Sequence, residues 1–345
     1  MASVPHGGIA PLDVGSRPHR NMLPRPIVVL GAPRSGTTIL HRCLSLHPEL
    51  WHLAAESHNI LEGPLHPAIG GYSSNRAVAD QLSEEELAQL RARFYDQAIN
   101  LNAVLDDPSS LSAEEGGRIQ RGVLVRAVGL WSRLKRGSGP IRFVEKTPKN
   151  SLRVPFLDRL FPDALFVWIR RNAATNIDSL IAGWLATSRV GPVSRPRFAR
   201  AGYPIARTLH LQDYHERWWK FALVPGWREL VGATVADVAL LQYYQCNQLA
   251  LTDLASVDSR RVLALKYEEF TSDPVAHIRR IFEWAELAPS PLVDRFAAKL
   301  PRVNDATPGF DRSRGRLRYP DAVHAAMARR PAMRSLVSAL GYAES

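Results

Sequence analysis

Three apolar runs and one mixed segment along the chain carry no helical period. Ile27-Val28-Val29-Leu30 is short and β-branched, and three others lie at residues 141–145, 164–169 and 262–265. Each reads as a strand, and the run Ala164-Leu165-Phe166-Val167-Trp168-Ile169 as one buried on both faces. Between them the apolar residues recur at helical spacing. Ile39, Leu40, Cys43, Leu44 and Leu46 follow the first strand, and His47-Pro48 ends that helix. Ser83-Glu84-Glu85-Glu86 is a capping box that opens a helix towards Leu101. Further helices are expected over about 118–135, up to Leu160, and over 173–185, 206–223, 233–256, 274–287, 291–299 and 320–340. Residues 51–73 read as irregular, since Gly63, Pro64, Pro67, Gly70 and Gly71 interrupt them, and residues 188–205 as a Pro/Arg/Gly-rich loop. Residues 1–24 show no period and read as a disordered tail. Strands alternating with helices imply an α/β fold, a parallel sheet flanked by helices. Residues 25–345 are then one domain, with the helices of about 74–136 inserted as a cap between the first two strands.

The junction of the first strand and helix reads GAPRSGTT, Gly31 to Thr38. A glycine loop there aims backbone N–H groups and a helix N-terminus at one point, a place for an anion and most often a phosphate. Gly31 and Gly36 are expected to supply positive φ and close approach, and Thr37 and Thr38 to add hydroxyl donors. The loop is P-loop-like but departs from G-x-x-x-x-G-K-[ST]: Thr37 stands in the lysine position and the cation is Arg34. The loop thus lacks the lysine that reaches β- and γ-phosphates in nucleotide triphosphatases. A P-loop kinase or NTPase-like phosphotransferase is the alternative reading of this segment. In open parallel sheets ligands bind outside the strands' C-terminal ends. Arg34, Lys146, Arg171 and Tyr267 all fall at such ends.

Charge and cysteine usage narrow the classes. The chain of 345 residues carries a formal net charge of +11. Its arginines are spread out, with no long basic run and no zinc-finger or RNA-binding signature, so a small anionic ligand plus a basic surface explains the charge as well as nucleic acid does, and nucleic acid is not expected as a partner. Cys43 and Cys246 lie in apolar helical patterns and read as core residues, not a disulfide framework. No stretch has the length and apolarity of a membrane span and no secretory h-region is visible, so a cytoplasmic location is the expectation.

Four segments in order resemble the sulfotransferases that use 3′-phosphoadenosine 5′-phosphosulfate (PAPS), most of all the broad bacterial group that shares features with tyrosylprotein sulfotransferases. They are GAPRSGTT; Glu145-Lys146-Thr147-Pro148; Phe166-Val167-Trp168-Ile169-Arg170-Arg171-Asn172 with Ser179 eight residues after Arg171; and Leu265-Lys266-Tyr267-Glu268-Glu269-Phe270 followed by Asp273-Pro274. Together they span roughly residues 26–285. Departures are Ala173 where the family usually has proline, Arg170 preceding Arg171, a glutamate one residue later than in the tyrosylprotein enzymes, and a C-terminal loop only loosely matched at 310–318.

The resemblance implies sulfuryl transfer from PAPS to a hydroxyl or amine of a small-molecule, lipid or carbohydrate acceptor, with no metal. It places Arg34, Ser35, Gly36, Thr37 and Thr38 at the 5′-phosphate, Lys146 near the sulfuryl group, and Arg171 with Ser179 on the 3′-phosphate. Tyr267, and Arg316 within a C-terminal cofactor/substrate loop at about 302–320, are further expected cofactor contacts. Glu56 is the candidate general base, with a carboxyl expected to be raised towards neutrality; His58, two residues on, is the rival. His41, His47, His52, His58 and His66 match no metal-ligand spacing. Trp184, Tyr203, Tyr214, Trp218 and Trp219 either line an acceptor pocket or fill the core.

Overall fold

The computed structural model describes residues 21–100, 131–132, 134, 137–190, 193–196, 202–300 and 317–343. The expected helix at 118–135 and Arg316 therefore fall wholly or mostly outside the described residues, as does most of the expected N-terminal tail.

A six-stranded sheet organises the chain, in the order β3-β2-β4-β1-β5-β8. Its strands are β1 (Ile27–Leu30), β2 (Leu50–Leu53), β3 (Ala98–Ile99), β4 (Arg142–Lys146), β5 (Leu165–Arg170) and β8 (Val262–Lys266). All neighbours run parallel except β3 on β2 at one edge. The four runs expected as strands are four of these six.

Both faces of the sheet are covered, which explains why β1 is apolar at every position. Val28 and Leu30 join Phe143, Phe166 and Trp168 in one core layer. Under that face lie α4 (Val154–Leu160), α5 (Ala173–Leu185) and the 20-residue α6 (Val235–Leu254). Ile27 and Val29 point the other way and join Val144, Val167 and Ile169, with α1 (Thr37–Ser45), α8 (Pro274–Trp284) and α9 (Pro291–Ala298). Full burial of each such side chain contributes about 1.5–3 kcal/mol. The remaining helices are α2 (His58–Leu61), α3 (Glu84–Gln97), α7 (Tyr267–Ser272), α10 (Pro320–Ala328) and α11 (Ala332–Ala339), and a separate hairpin pairs β6 (Thr187–Val190) with β7 (Val193–Pro196).

The structure corrects several expectations. Residues 51–73 are not wholly irregular: β2 and α2 lie there. The capped helix does open at Ser83, whose hydroxyl and Glu86 bond reciprocally, but it ends at Gln97 and gives way to β3. The stretch at 206–223 is a 3₁₀ turn, Ala206–Leu209, followed by irregular chain in which Trp219 bridges back to Tyr203. The final helix is two, because Pro331 follows Arg330 and cannot continue the ladder. Trp184 and Trp219 are fully buried and stacked edge to face, and Tyr203 and Tyr214 are buried beside them, so these four fill the core. Trp218 alone is part-exposed.

Candidate active site

A parallel sheet brings the C-terminal ends of β1, β2, β4, β5 and β8 to one edge, and the singled-out side chains meet there. The glycine loop leaves β1 and enters α1. Gly31 donates its N–H to Ser151 Oγ at 2.9 Å, which ties the loop to the 3₁₀ turn after β4. Contrary to expectation, Gly31 is not left-handed; the left-handed residues are Arg34 (φ 72°) and Gly36 (φ 101°). Gly31 is instead required by crowding, since a Cβ there would lie 2.6 Å from the Ile169 carbonyl oxygen. At Gly36 a Cβ would lie 2.3 Å from Tyr267 Cδ2.

The loop's polar groups point to different places. Ser35 N–H is spent within the loop on the Ala32 carbonyl at 3.1 Å, so it is not among the donors turned outward. Ser35 Oγ is buried and has no hydrogen-bond partner among the described residues. Thr37 is buried, whereas Thr38 is exposed. No side chain caps α1, so the N–H groups of its first turn keep their anion-attracting role.

Two clusters flank the loop. In the first, Arg34 Nε donates to Ser179 Oγ at 3.2 Å, and Arg171 Nη1 donates to the Arg34 carbonyl at 2.9 Å. The Arg171 guanidinium lies over the Tyr267 ring, 4.7 Å from its centroid. Asn172 accepts from Thr175 N–H and caps α5, so Ala173 starts the helix without the proline that often stands at such a position. Asp178, next to Ser179, accepts from the N–H groups of Arg318 and Tyr319 at 2.7 and 2.8 Å. The chain leaving the C-terminal loop is thereby fixed beside Ser179.

In the second cluster Lys146 Nζ lies 2.6 Å from Glu56 Oε1 and 3.4 Å from Thr38 Oγ1. Glu56 Oε2 pairs with His58 Nε2 at 2.9 Å. The glutamate and the imidazole expected as rivals are partners. The expectation of a raised carboxyl is reversed: burial pushes Glu56 up, but the Lys146 ammonium and the His58 ring together hold it well below the usual 4.5. Arg34 sits with Ser179 and Arg171, not with Lys146.

Sequence reasoning missed two carboxylates. Glu62 Oε1 lies 3.3 Å from His58 Nδ1 and pairs with Lys149 at 2.8 Å and Arg153 at 3.1 Å, both of them buried. Burial raises its carboxyl, yet His58, Lys149 and Arg153 bring it well below 4.5. Lys149 is pushed down to about 8 by burial, against the opposing pull of Glu62. Glu145 is buried, accepts from Ser57 Oγ at 2.6 Å and Asn150 Nδ2 at 3.0 Å, and is raised by burial. With Thr147 Oγ1 accepting from Ser57 N–H at 2.9 Å, it fastens the Glu56 loop to β4. Only the i,i+4 spacing of His58 and Glu62 is a local signal.

The other histidines are accounted for separately. His41 meets His52 edge to face, His47 bonds the Ala288 carbonyl, and His66 caps the turn Pro67–Gly70. Among the described residues no group of side chains is arranged to hold a metal ion, and no helix is long and apolar enough to cross a membrane.

An edge with one arginine-rich and one lysine-bearing pole, joined by a glycine loop, suits a ligand with two anionic ends. Comparison with known proteins agrees in class. A model of the sulfotransferase family matches residues 26–221, more than half of the chain. Among solved structures, the chain is similar to the sulfotransferase domain of the Synechococcus PCC 7002 olefin synthase (16% identity, 96% of this chain and 99% of that one, TM-score 0.46). It is also similar to the sulfotransferase domain from the curacin biosynthetic pathway (14%, 94% and 99%, TM-score 0.45) and to mouse sulfotransferase SULT7A1 complexed with PAP (10%, 81% and 66%, TM-score 0.31). No curated protein sequence matches. On the family match over residues 26–221, the chain belongs to the sulfotransferase family.

Proposed function

We propose that this enzyme moves a sulfuryl group from PAPS to a hydroxyl or amine of a small-molecule, lipid or carbohydrate acceptor. The observation that carries the reading is the meeting of Thr38, Lys146, Glu56 and His58 beside the glycine loop, with Arg34, Arg171 and Ser179 at its other flank. The residues fit the anionic ends of PAPS. The uncapped first turn of α1 and the buried Ser35 hydroxyl suit a 5′-phosphate. Arg171, Ser179 and Arg34 suit the 3′-phosphate, one fork and one hydroxyl at a time. Tyr267 supports the loop through its packing on Gly36.

When bound, PAPS supplies a sulfuryl group on a phosphate leaving group. Glu56 takes the proton of the acceptor hydroxyl as the new S–O bond forms. Lys146 offsets the negative charge that builds on the departing oxygen, as do the N–H groups of the loop. A sulfuryl group carries less charge than a γ-phosphoryl group, so side-chain cations suffice where kinases use Mg²⁺.

The test is release of 3′-phosphoadenosine 5′-phosphate (PAP) from PAPS, followed chromatographically across a panel of hydroxyl and amine acceptors. Once an acceptor is found, Glu56→Ala and Lys146→Ala are each expected to lower turnover by about 10²–10³-fold. Turnover equal to the wild type in either variant removes that residue from the mechanism.

A further inference from the structure

We propose that the Lys146–Glu56 ion pair is a latch: an anion arriving at the glycine loop takes Lys146 away from Glu56, while His58 and Glu62 keep the carboxylate where it is. The inference rests on the reading of Glu56 as base and adds to it an order of events, in which the base is released only after the phosphate-bearing ligand is in place.

The two partners are held very differently. Glu56 has a second anchor, since its Oε2 pairs with His58 at 2.9 Å. His58 in turn faces Glu62, which two buried cations, Lys149 and Arg153, hold from the 3₁₀ turn and helix start after β4. Lys146 has no such backing. Among the described residues its partners are the Glu56 carboxylate and, at 3.4 Å, the hydroxyl of Thr38. Thr38 is exposed and belongs to the first turn of α1, where the anion would sit. The ammonium therefore already lies between its present partner and its next one, on a flexible four-carbon stem.

The consequence for Glu56 follows from charge. Lys146 and His58 now hold it as a poor base. The groups around it are Lys146 from β4, His58 from the start of α2 and His41 from α1, with Glu62, Lys149 and Arg153 behind His58. Departure of Lys146 towards a phosphate removes the nearest positive charge and adds a negative one, so the carboxylate's affinity for a proton rises.

Calorimetric titration of the full chain with PAP, in a double-mutant cycle, tests the latch. Glu56→Gln leaves Lys146 uncontested and is expected to bind PAP about tenfold tighter than the wild type, within the usual range of coupling between sites. Lys146→Met is expected to bind more weakly, and in the double variant the gain from Glu56→Gln should vanish. Glu56→Ala, checked like the others by thermal melting, must give the same sign. Wild-type affinity in both Glu56 variants overturns the latch. So does a gain that persists beside Lys146→Met, which would be plain loss of one negative charge. A wild type that does not bind PAP at all fails the proposed function and the latch together; binding without coupling fails the latch alone.

Discussion

Gly36→Ala is expected to weaken PAP binding by at least about a hundredfold, the scale set by roughly an ångström of misplacement in a preorganised site. Two effects coincide at this residue. Its φ of 101° lies where a side chain is strained. A Cβ would also lie 2.3 and 2.7 Å from Cδ2 and Cε2 of Tyr267. The ring has little room to withdraw, because it is 9% exposed and carries the Arg171 guanidinium over its face. Relief would have to displace the loop, the ring or Arg171, and each belongs to the proposed anion site. Gly71 is the internal control. Its φ is 61°, yet nothing lies within 4 Å of its Cβ position, so Gly71→Ala should cost about 1 kcal/mol of backbone strain and leave PAP binding unchanged. Equal affinities in Gly36→Ala and the wild type would mean that the loop does not grip the ligand.

Glu62→Ala is expected to cost about 3–5 kcal/mol of stability in urea unfolding, because it removes the buried carboxylate that Lys149 and Arg153 share. Lys149 and Arg153 are 2% and 0% exposed, and among the described residues both pair with Glu62. Glu62→Gln keeps the shape and a hydrogen-bond acceptor, and should cost less. The acid dependence has a definite sign. The folded-state carboxyl of Glu62 is held below its ordinary value of 4.5, so its contribution is complete above that pH and is lost as pH falls through the lower folded value. Wild type and Glu62→Gln should therefore differ most above pH 4.5 and converge in strong acid. A gap that widens on acidification would contradict the assigned pairing.

Much of the fold and part of the candidate site are legible in the sequence for the same reason: their signals are local. The strands β1, β5 and β8 are apolar runs up to their C-terminal ends because the sheet is covered on both faces, whereas β4 carries only Phe143 and Val144 between charged residues. The glycine loop, Lys146 and the Arg171–Ser179 spacing each sit at a strand end that the pattern marks. β2 was not legible, since Leu50-Trp51-His52-Leu53 is four residues with a buried histidine in its middle. β3 is two residues and exists only as a partner of β2. The aromatic stretch at 206–223 mimics a helix, but its rings are spaced to fill a core around Trp184, not to line one helical face. The state of Glu56 and the role of Glu62 depend on Lys146, Lys149 and Arg153, some 90 residues away in the chain and adjacent only because β2 pairs with β4. A carboxylate's burial can be guessed from its neighbours in sequence; its ion-pair partners across a sheet cannot.

The central claim, a site for PAPS and not for a nucleoside triphosphate, is tested most directly by calorimetric titration with PAP beside ATP, with and without Mg²⁺. Wild type is compared with Arg171→Ala. The account predicts tight binding of PAP that needs no Mg²⁺, loss of that binding in the variant by about two to three orders of magnitude, and no comparable binding of ATP. Preference for ATP with Mg²⁺, or PAP binding untouched by Arg171→Ala, would contradict it.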